Sequence, residues 1–140
     1  MVGARQIADV LGGRATLGRT IRTIQQLDEL IGSARMPRAA VDRLATRISD
    51  RPDLKYRIVP RSSYHRAAYL SEAHAQRAER LARVFAMALE VWQDEALARR
   101  FLNTPHPELG GATAIDRAMT ELGAREVEEV IDRGRYGLPV

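Results

Sequence analysis

The sequence predicts an all-α fold. Apolar residues recur at helical spacing along nearly the whole chain, and no run of four or more residues alternates with the β-branched enrichment of a strand. Most of its 10 glycines and 6 prolines fall between the periodic stretches and divide 140 residues into several helices. With 45% of residues apolar and 29% charged, the chain can bury a core, which excludes a disordered tail.

A first short helix is expected over Ala4 to Leu11, stopped by Gly12 and Gly13, and a second over about Leu17 to Ile31, before Gly32. In the second, Leu17, Ile21, Ile24, Leu27, Leu30 and Ile31 share one face, while Arg19, Arg22, Asp28 and Glu29 lie largely off it. Pro37 opens a third helix, in which Val41, Leu44, Ala45 and Ile48 keep the i, i+3, i+4, i+7 spacing until Asp50. Arg51-Pro52-Asp53 is a break. Leu54 to Tyr69 then reads as two short helices joined by a tight turn, with Pro60 opening the second.

Ser71 is the expected N-cap of the longest helix, Glu72 to about Gln93, with Leu70 as the outer half of a hydrophobic staple. Its inward stripe is Ala78, Leu81, Ala82, Phe85, Leu89 and Trp92, and at 1.5 Å per residue it is roughly 30 Å long, the spine of the molecule. A shorter helix, Glu95 to Leu102, presents Leu97, Phe101 and Leu102 and ends at Asn103-Thr104-Pro105-His106-Pro107. Gly110-Gly111 closes the loop. Thr113 with Asp116 resembles a capping box and starts a helix carrying Ile115, Met119 and Leu122 that Gly123 ends. The last helix, Ala124 to Arg133, packs Val127, Val130 and Ile131 and shows Glu126, Glu128, Glu129 and Asp132 outward.

Charge is unevenly distributed. Residues 1–69 hold 13 basic and 6 acidic side chains, whereas residues 70–140 hold 9 basic and 12 acidic, so a formal +4 conceals +7 and −3. A basic half suits a polyanion such as nucleic acid, and is equally an ordinary solvated surface. Of the 22 basic residues all but Lys55 are arginine, as a GC-rich coding sequence would produce.

Several chemistries are excluded by what is missing. Without cysteine there is no disulfide framework, zinc ribbon or thiol nucleophile, which suits a reducing compartment. His65, His74 and His106 are too far apart in sequence for a metal site, so no metal and no cofactor are expected. Ser62 and Ser63 beside His65 are the one compact nucleophile candidate, yet three near-consecutive residues on a short helix do not make a triad, and no glycine elbow surrounds them. No catalytic residue is assigned. No charge-free stretch approaches the roughly 20 residues of a membrane span, and Arg5 and Asp9 interrupt the first apolar segment. The chain is expected in the cytoplasm, without signal peptide or anchor.

Two segments stand out. Arg61 to Arg66, preceded by Arg57, has the residue types of a DNA-reading helix: Arg61, Ser62, Ser63, Tyr64, His65 and Arg66, presented outward after a tight turn. An exposed basic connector would look the same. After the acidic last helix, Tyr136, Leu138, Pro139 and Val140 form an apolar segment that either packs back on its own domain or enters a partner's cleft.

The run Phe101-Leu102-Asn103-Thr104-Pro105-His106-Pro107-Glu108-Leu109-Gly110-Gly111, followed by Gly123-Ala124-Arg125-Glu126-Val127-Glu128 and Arg135-Tyr136-Gly137, resembles the toxin-binding domain of Xre/MbcA/ParS-type antitoxins. Leu70-Ser71-Glu72, Arg80-Leu81-Ala82-Arg83 and Ala88-Leu89-Glu90-Val91-Trp92 match the linker helix of that family, so the resemblance covers about residues 60–140. His106 departs from the asparagine common at its position, which puts one hydrogen bond of the loop in question. Ile115-Asp116-Arg117-Ala118-Met119 also replaces the usual Pro-hydrophobic-Asp-Leu-Leu run.

The resemblance implies an Xre-like helix-turn-helix module in residues 1–69 that binds operator DNA, and a toxin-neutralising module in 70–140, with a hinge near residue 70. The implied partner is a RES-domain toxin that consumes NAD, occluded at its active site by a non-enzymatic antitoxin. Toxin contact would fall on Asn103, Pro105, Gly110 and Gly111, and on Arg133, Arg135, Tyr136, Gly137, Leu138, Pro139 and Val140. A homodimer and higher toxin–antitoxin assemblies are further implications. The rival expectation is an interaction module that oligomerises through Leu17 to Ile31 and does not bind DNA.

Overall fold

A computed structural model describes residues 2–135, with the backbone alone at Arg135. Among the described residues there are ten α-helices and no strand: α1 (Ala4–Val10), α2 (Gly13–Leu17), α3 (Ile24–Gly32), α4 (Ala39–Ile48), α5 (Leu54–Ile58), α6 (Arg61–Arg66), α7 (Glu72–Trp92), α8 (Glu95–Asn103), α9 (Ala114–Arg117) and α10 (Glu121–Arg135), with a 3-10 turn at Pro107–Leu109. The all-α expectation holds.

Two helix starts carry the caps read from the sequence. The Ser71 hydroxyl accepts from the His74 N–H at 3.2 Å, and the Thr113 hydroxyl accepts from the Asp116 N–H at 3.1 Å. Asp94 does the same for α8, accepting from the Leu97 N–H at 2.9 Å.

Several boundaries differ from expectation. Leu17 to Ile31 is not one helix: Leu17 is the last residue of α2, which starts at Gly13 and ends where Gly18 takes a left-handed conformation at φ +74, and α3 begins only at Ile24. Thr23 then starts α3 with a capping box shared with Gln26. Ile24, expected on the packing face, is 58% exposed as a result. Gly123 does not end a helix but lies inside the first turn of α10, and Leu122 beside it is 73% exposed. Finally, α10 continues through Gly134 to Arg135.

The spine helix α7 touches α1, α3, α4 and α5 before it in sequence, and α8 and α10 after it. Val84, Phe85, Ala86, Met87 and Ala88 are buried in succession, more than a full turn, so α7 is enclosed on every side at this level. One continuous hydrophobic cluster runs from Ala4 to Ile131.

Polar contacts cross the midpoint of the chain as well. The Arg47 guanidinium pairs with Asp9 at 3.1 Å and Glu95 at 2.9 Å and lies over the Phe85 ring. Arg99 pairs with Asp50 at 2.7 Å. The connector before α7 is pinned by main-chain bonds, with the Leu70 N–H donating to the Met36 carbonyl and the Arg38 N–H to the Ala68 carbonyl, each at 2.8 Å. At residue 70 the charge sign changes, while the main-chain bonds of the connector and the hydrophobic cluster run across it.

Candidate functional site

The α5–α6 region is organised by two tyrosines. Tyr64, expected to point outward, is buried: its hydroxyl donates to the Asp42 carboxylate, and its ring meets Tyr56 edge-on with centroids 5.4 Å apart. Burial first, and then that hydrogen bond, push the Tyr64 phenol up to about 12. The alternation of α6 explains the difference, since on a single amphipathic turn one of Ser62, Ser63, Tyr64 and His65 must face the core, and the largest apolar ring does so.

Around these rings lie three cations. Arg61 sits 3.9 Å above the Tyr56 centroid, Lys55 lies 5.2 Å from both tyrosine rings, and Arg38 lies 5.0 Å from Tyr64. His65 Nε2 is 3.2 Å from the Tyr56 hydroxyl. Arg61, Ser62, His65 and Arg66 are exposed, and Ser63 is half-buried. Arg57 faces the other half of the chain, where its guanidinium pairs with Asp116 at the start of α9. Desolvation alone would raise the Asp116 carboxyl, but the hydrogen bond and charge of Arg57 hold it below its ordinary value. The surface left for a polyanion is thus Lys55, Arg61, His65 and Arg66, two of whose cations are held by stacking. Lys55 and Tyr56 were not among the sequence candidates; an aromatic between two basic residues was the signal for them.

The second site is the loop between α8 and α9. Asn103 is exposed, and its Nδ2 donates to the carbonyls of Ile48 and Arg99 at 2.7 Å each, so it ties the C-terminal end of α4 to α8. His106 keeps the capping role in question: its Nδ1 accepts from the Glu108 N–H at 3.1 Å. The loop then closes on itself, with the Gly111 N–H donating to the His106 carbonyl at 3.0 Å and the His106 N–H to the Ala112 carbonyl at 3.1 Å. Gly110 and Gly111 adopt φ of +67 and +82 with open space around them, so the turn needs their backbone freedom. Pro105, Gly110 and Gly111 are exposed.

Arg133 on α10 pairs with Glu108 in the same loop. This latch joins the loop to the last described turn of α10, and Glu108 was missed because nothing at a separation of 25 residues announces such a pair. Arg133 is half-buried and engaged by its own chain. The side chain of Arg135, and Tyr136, Gly137, Leu138, Pro139 and Val140, lie outside the described residues.

The acidic face of α10 is partly internal. Glu128, expected in solvent, faces Arg83 of α7 at 3.5 Å, and Glu126 pairs with Arg117 at 2.7 Å. Among the described residues no group of His, Asp and Glu side chains could hold a metal ion, and no helix is long and apolar enough to cross a membrane.

Residues 87–137 match the family model of the antitoxin Xre/MbcA/ParS C-terminal toxin-binding domain. This segment is similar to the toxin-binding domain of the Xre/MbcA/ParS antitoxin family. In structural terms the Xre/MbcA/ParS toxin-binding domain takes up the last turns of α7, all of α8, the Pro105–Gly111 loop, α9 and α10. The match is narrower than residues 60–140, and leaves α1 to α6 uncovered. None of the curated proteins compared with the chain matches it.

Proposed function

We propose that the chain is an antitoxin that neutralises a RES-domain, NAD-consuming toxin by covering its active site. The observation that carries this reading is the toxin-binding domain match at residues 87–137, whose loop and last helix are latched together by Arg133 and Glu108. The proposed contact surface is Pro105, Gly110 and Gly111 with the residues after Arg135, acting sterically without catalysis. Arg133 and Asn103 would hold that surface in place, since each is engaged by its own chain.

Co-expression tests the idea. Chain truncated after Arg135 keeps α10 whole and is expected to fold but to leave cells unprotected from a co-expressed RES toxin. Full protection by the truncated chain would refute the proposal for residues 136–140.

The proposal extends to binding of the operon's own operator through the α5–α6 face, in the cytoplasm and as a dimer able to join larger toxin–antitoxin assemblies. What supports it is the exposed Arg61, held against the Tyr56 ring, and the half-buried Lys55, held against the rings of Tyr56 and Tyr64. Arg61→Ala with Arg66→Ala should weaken operator binding and lower its salt slope by roughly 1 to 2, since each phosphate that a cation neutralises adds about 0.9 to the slope. An unchanged gel-shift titration at two salt concentrations would move the DNA interface elsewhere. The rival, oligomerisation through Leu17 to Ile31 without DNA binding, loses support because Leu17, Ile21, Leu27, Leu30 and Ile31 are buried within the chain.

A further inference from the structure

Beside the α8–α9 loop lies a groove of about 290 Å³ lined by Trp92, Leu97, Phe101, Thr104, Pro105 and His106, together with the exposed Arg100. Three of the side chains form a row of rings, with Trp92 and Phe101 centroids 5.0 Å apart and Phe101 and His106 centroids 6.0 Å apart. Leu97 is 43% exposed, whereas Ala98 and Leu102 of the same helix are buried. Its place is fixed, because its N–H donates to the Asp94 cap of α8 at 2.9 Å. Arg100 also lines the neighbouring polar cleft of Ser49, Asp50 and Arg51, so it marks the polar side of the groove.

We propose that this groove is an anchor site for the toxin: it takes one apolar side chain, aromatic or leucine-sized, from a toxin segment that carries a carboxylate beside it. The assignment rests on the antitoxin function proposed above and deepens it by naming the surface and the chemistry of the segment it receives.

The first argument is place. Every residue lining the groove falls within residues 87–137, the stretch that matches a toxin-binding domain. Pro105 belongs both to the groove and to the proposed contact loop, and the His106 carbonyl accepts the Gly111 N–H at 3.0 Å, so the groove wall and the glycine turn are bonded together. The second is size. A groove of about 290 Å³ has room for one or two apolar side chains and is too small for a helix. Such a pocket, filled by a single anchor, is where binding energy concentrates in protein interfaces. The third is charge. Arg99 is paired with Asp50, whereas the Arg100 guanidinium makes no ion pair among the described residues, and a carboxylate on the incoming segment supplies one.

Affinity for the RES toxin of the co-expression test, measured by calorimetry on the full chain, tests the assignment. Leu97→Glu puts a charge on the groove wall at the third position of α8, where glutamate suits a helix start, so the fold is retained. It should weaken toxin binding about 30-fold or more at an unchanged thermal midpoint. Leu97→Met keeps the wall apolar and should bind as the unaltered chain does. Arg100→Ala should slow association several-fold at low salt and little at high salt. Trp92 is the one tryptophan of the sequence, so fluorotryptophan incorporated there gives a single fluorine NMR signal from the groove wall. Saturating unlabelled toxin should shift that signal.

Undiminished binding by Leu97→Glu, or a fluorine signal that stays in place at saturation, would overturn the groove assignment and leave the antitoxin function standing. Absence of binding by the unaltered chain would remove both. A chain whose self-association, but not its toxin affinity, is lost with Leu97→Glu would give the groove to a second copy and overturn the assignment as well.

Discussion

Gly123 sits at the third position of α10, where the Thr120 hydroxyl accepts its N–H at 3.1 Å. A Cβ there would lie 1.7 Å from the Arg117 carbonyl oxygen, a backbone atom that cannot step aside. Replacing a helical glycine by alanine ordinarily gains up to about 1 kcal/mol. Here the clash reverses the sign, and Gly123→Ala is expected to lose about 1–3 kcal/mol in urea denaturation. An unchanged or raised midpoint would show that α9 and α10 do not approach so closely.

Tyr64 gives a second case of a residue whose chemistry is decided by its surroundings. Tyr64→Phe removes the bond to the half-buried Asp42 carboxylate and should cost about 1–2 kcal/mol of stability, leaving operator affinity unchanged. A loss of affinity at equal stability would restore Tyr64 to the DNA contact.

Between α7 and α10 the balance of charge is unusual, because one guanidinium serves three carboxylates. Arg83 lies 3.6 Å from Glu79 and 3.5 Å from both Glu121 and Glu128. Burial, and then the neighbouring Glu121 and Glu128 charges, outweigh Arg83 and raise the Glu79 carboxyl above its ordinary value. Glu128 is raised as well, with burial again the main cause. A glutamate raised in the folded state binds protons more tightly there than in the unfolded chain. Stability from this interface is therefore greatest at low pH, and is lost as pH climbs from the ordinary glutamate value of 4.5 through the raised folded values. Glu79→Gln keeps the hydrogen-bonding shape and should raise the thermal midpoint at pH 7 while flattening its dependence on pH. A lower midpoint at pH 7 would mean that Arg83 depends on Glu79 after all. Asp116 works in the opposite sense: it is depressed, so its contribution holds above its unfolded value of 3.8 and fades as pH falls through the folded one.

At the scale of the molecule, the two charge halves share one interior. The enclosed stretch Val84 to Ala88 needs helices from both sides, and Arg47 of α4 covers the Phe85 ring while pairing with α1 and the start of α8. Residues 70–140 produced alone would expose the face of α7 that α1 and α4 cover. The fragment is expected to melt without a cooperative transition, whereas the full chain unfolds in a single step by circular dichroism and tryptophan emission alike. A sharp transition in the fragment would show that the boundary near residue 70 separates units that fold independently.

Helical spacing, caps and breakers were local signals, and they were enough to establish the all-α class, the spine helix with its Ser71 cap, and the Pro/Gly loop that carries the family resemblance. Their reach is a few residues, because a cap or a left-handed glycine acts through bonds to its immediate neighbours. Tertiary packing decided the rest. It turned Tyr64 inward, gave Arg57 to Asp116 and Arg133 to Glu108, and placed Glu128 beside Arg83. Each joins residues at least 22 apart in sequence, set by which helix faces meet across the core, and hydrophobic periodicity says which face is buried but not against what.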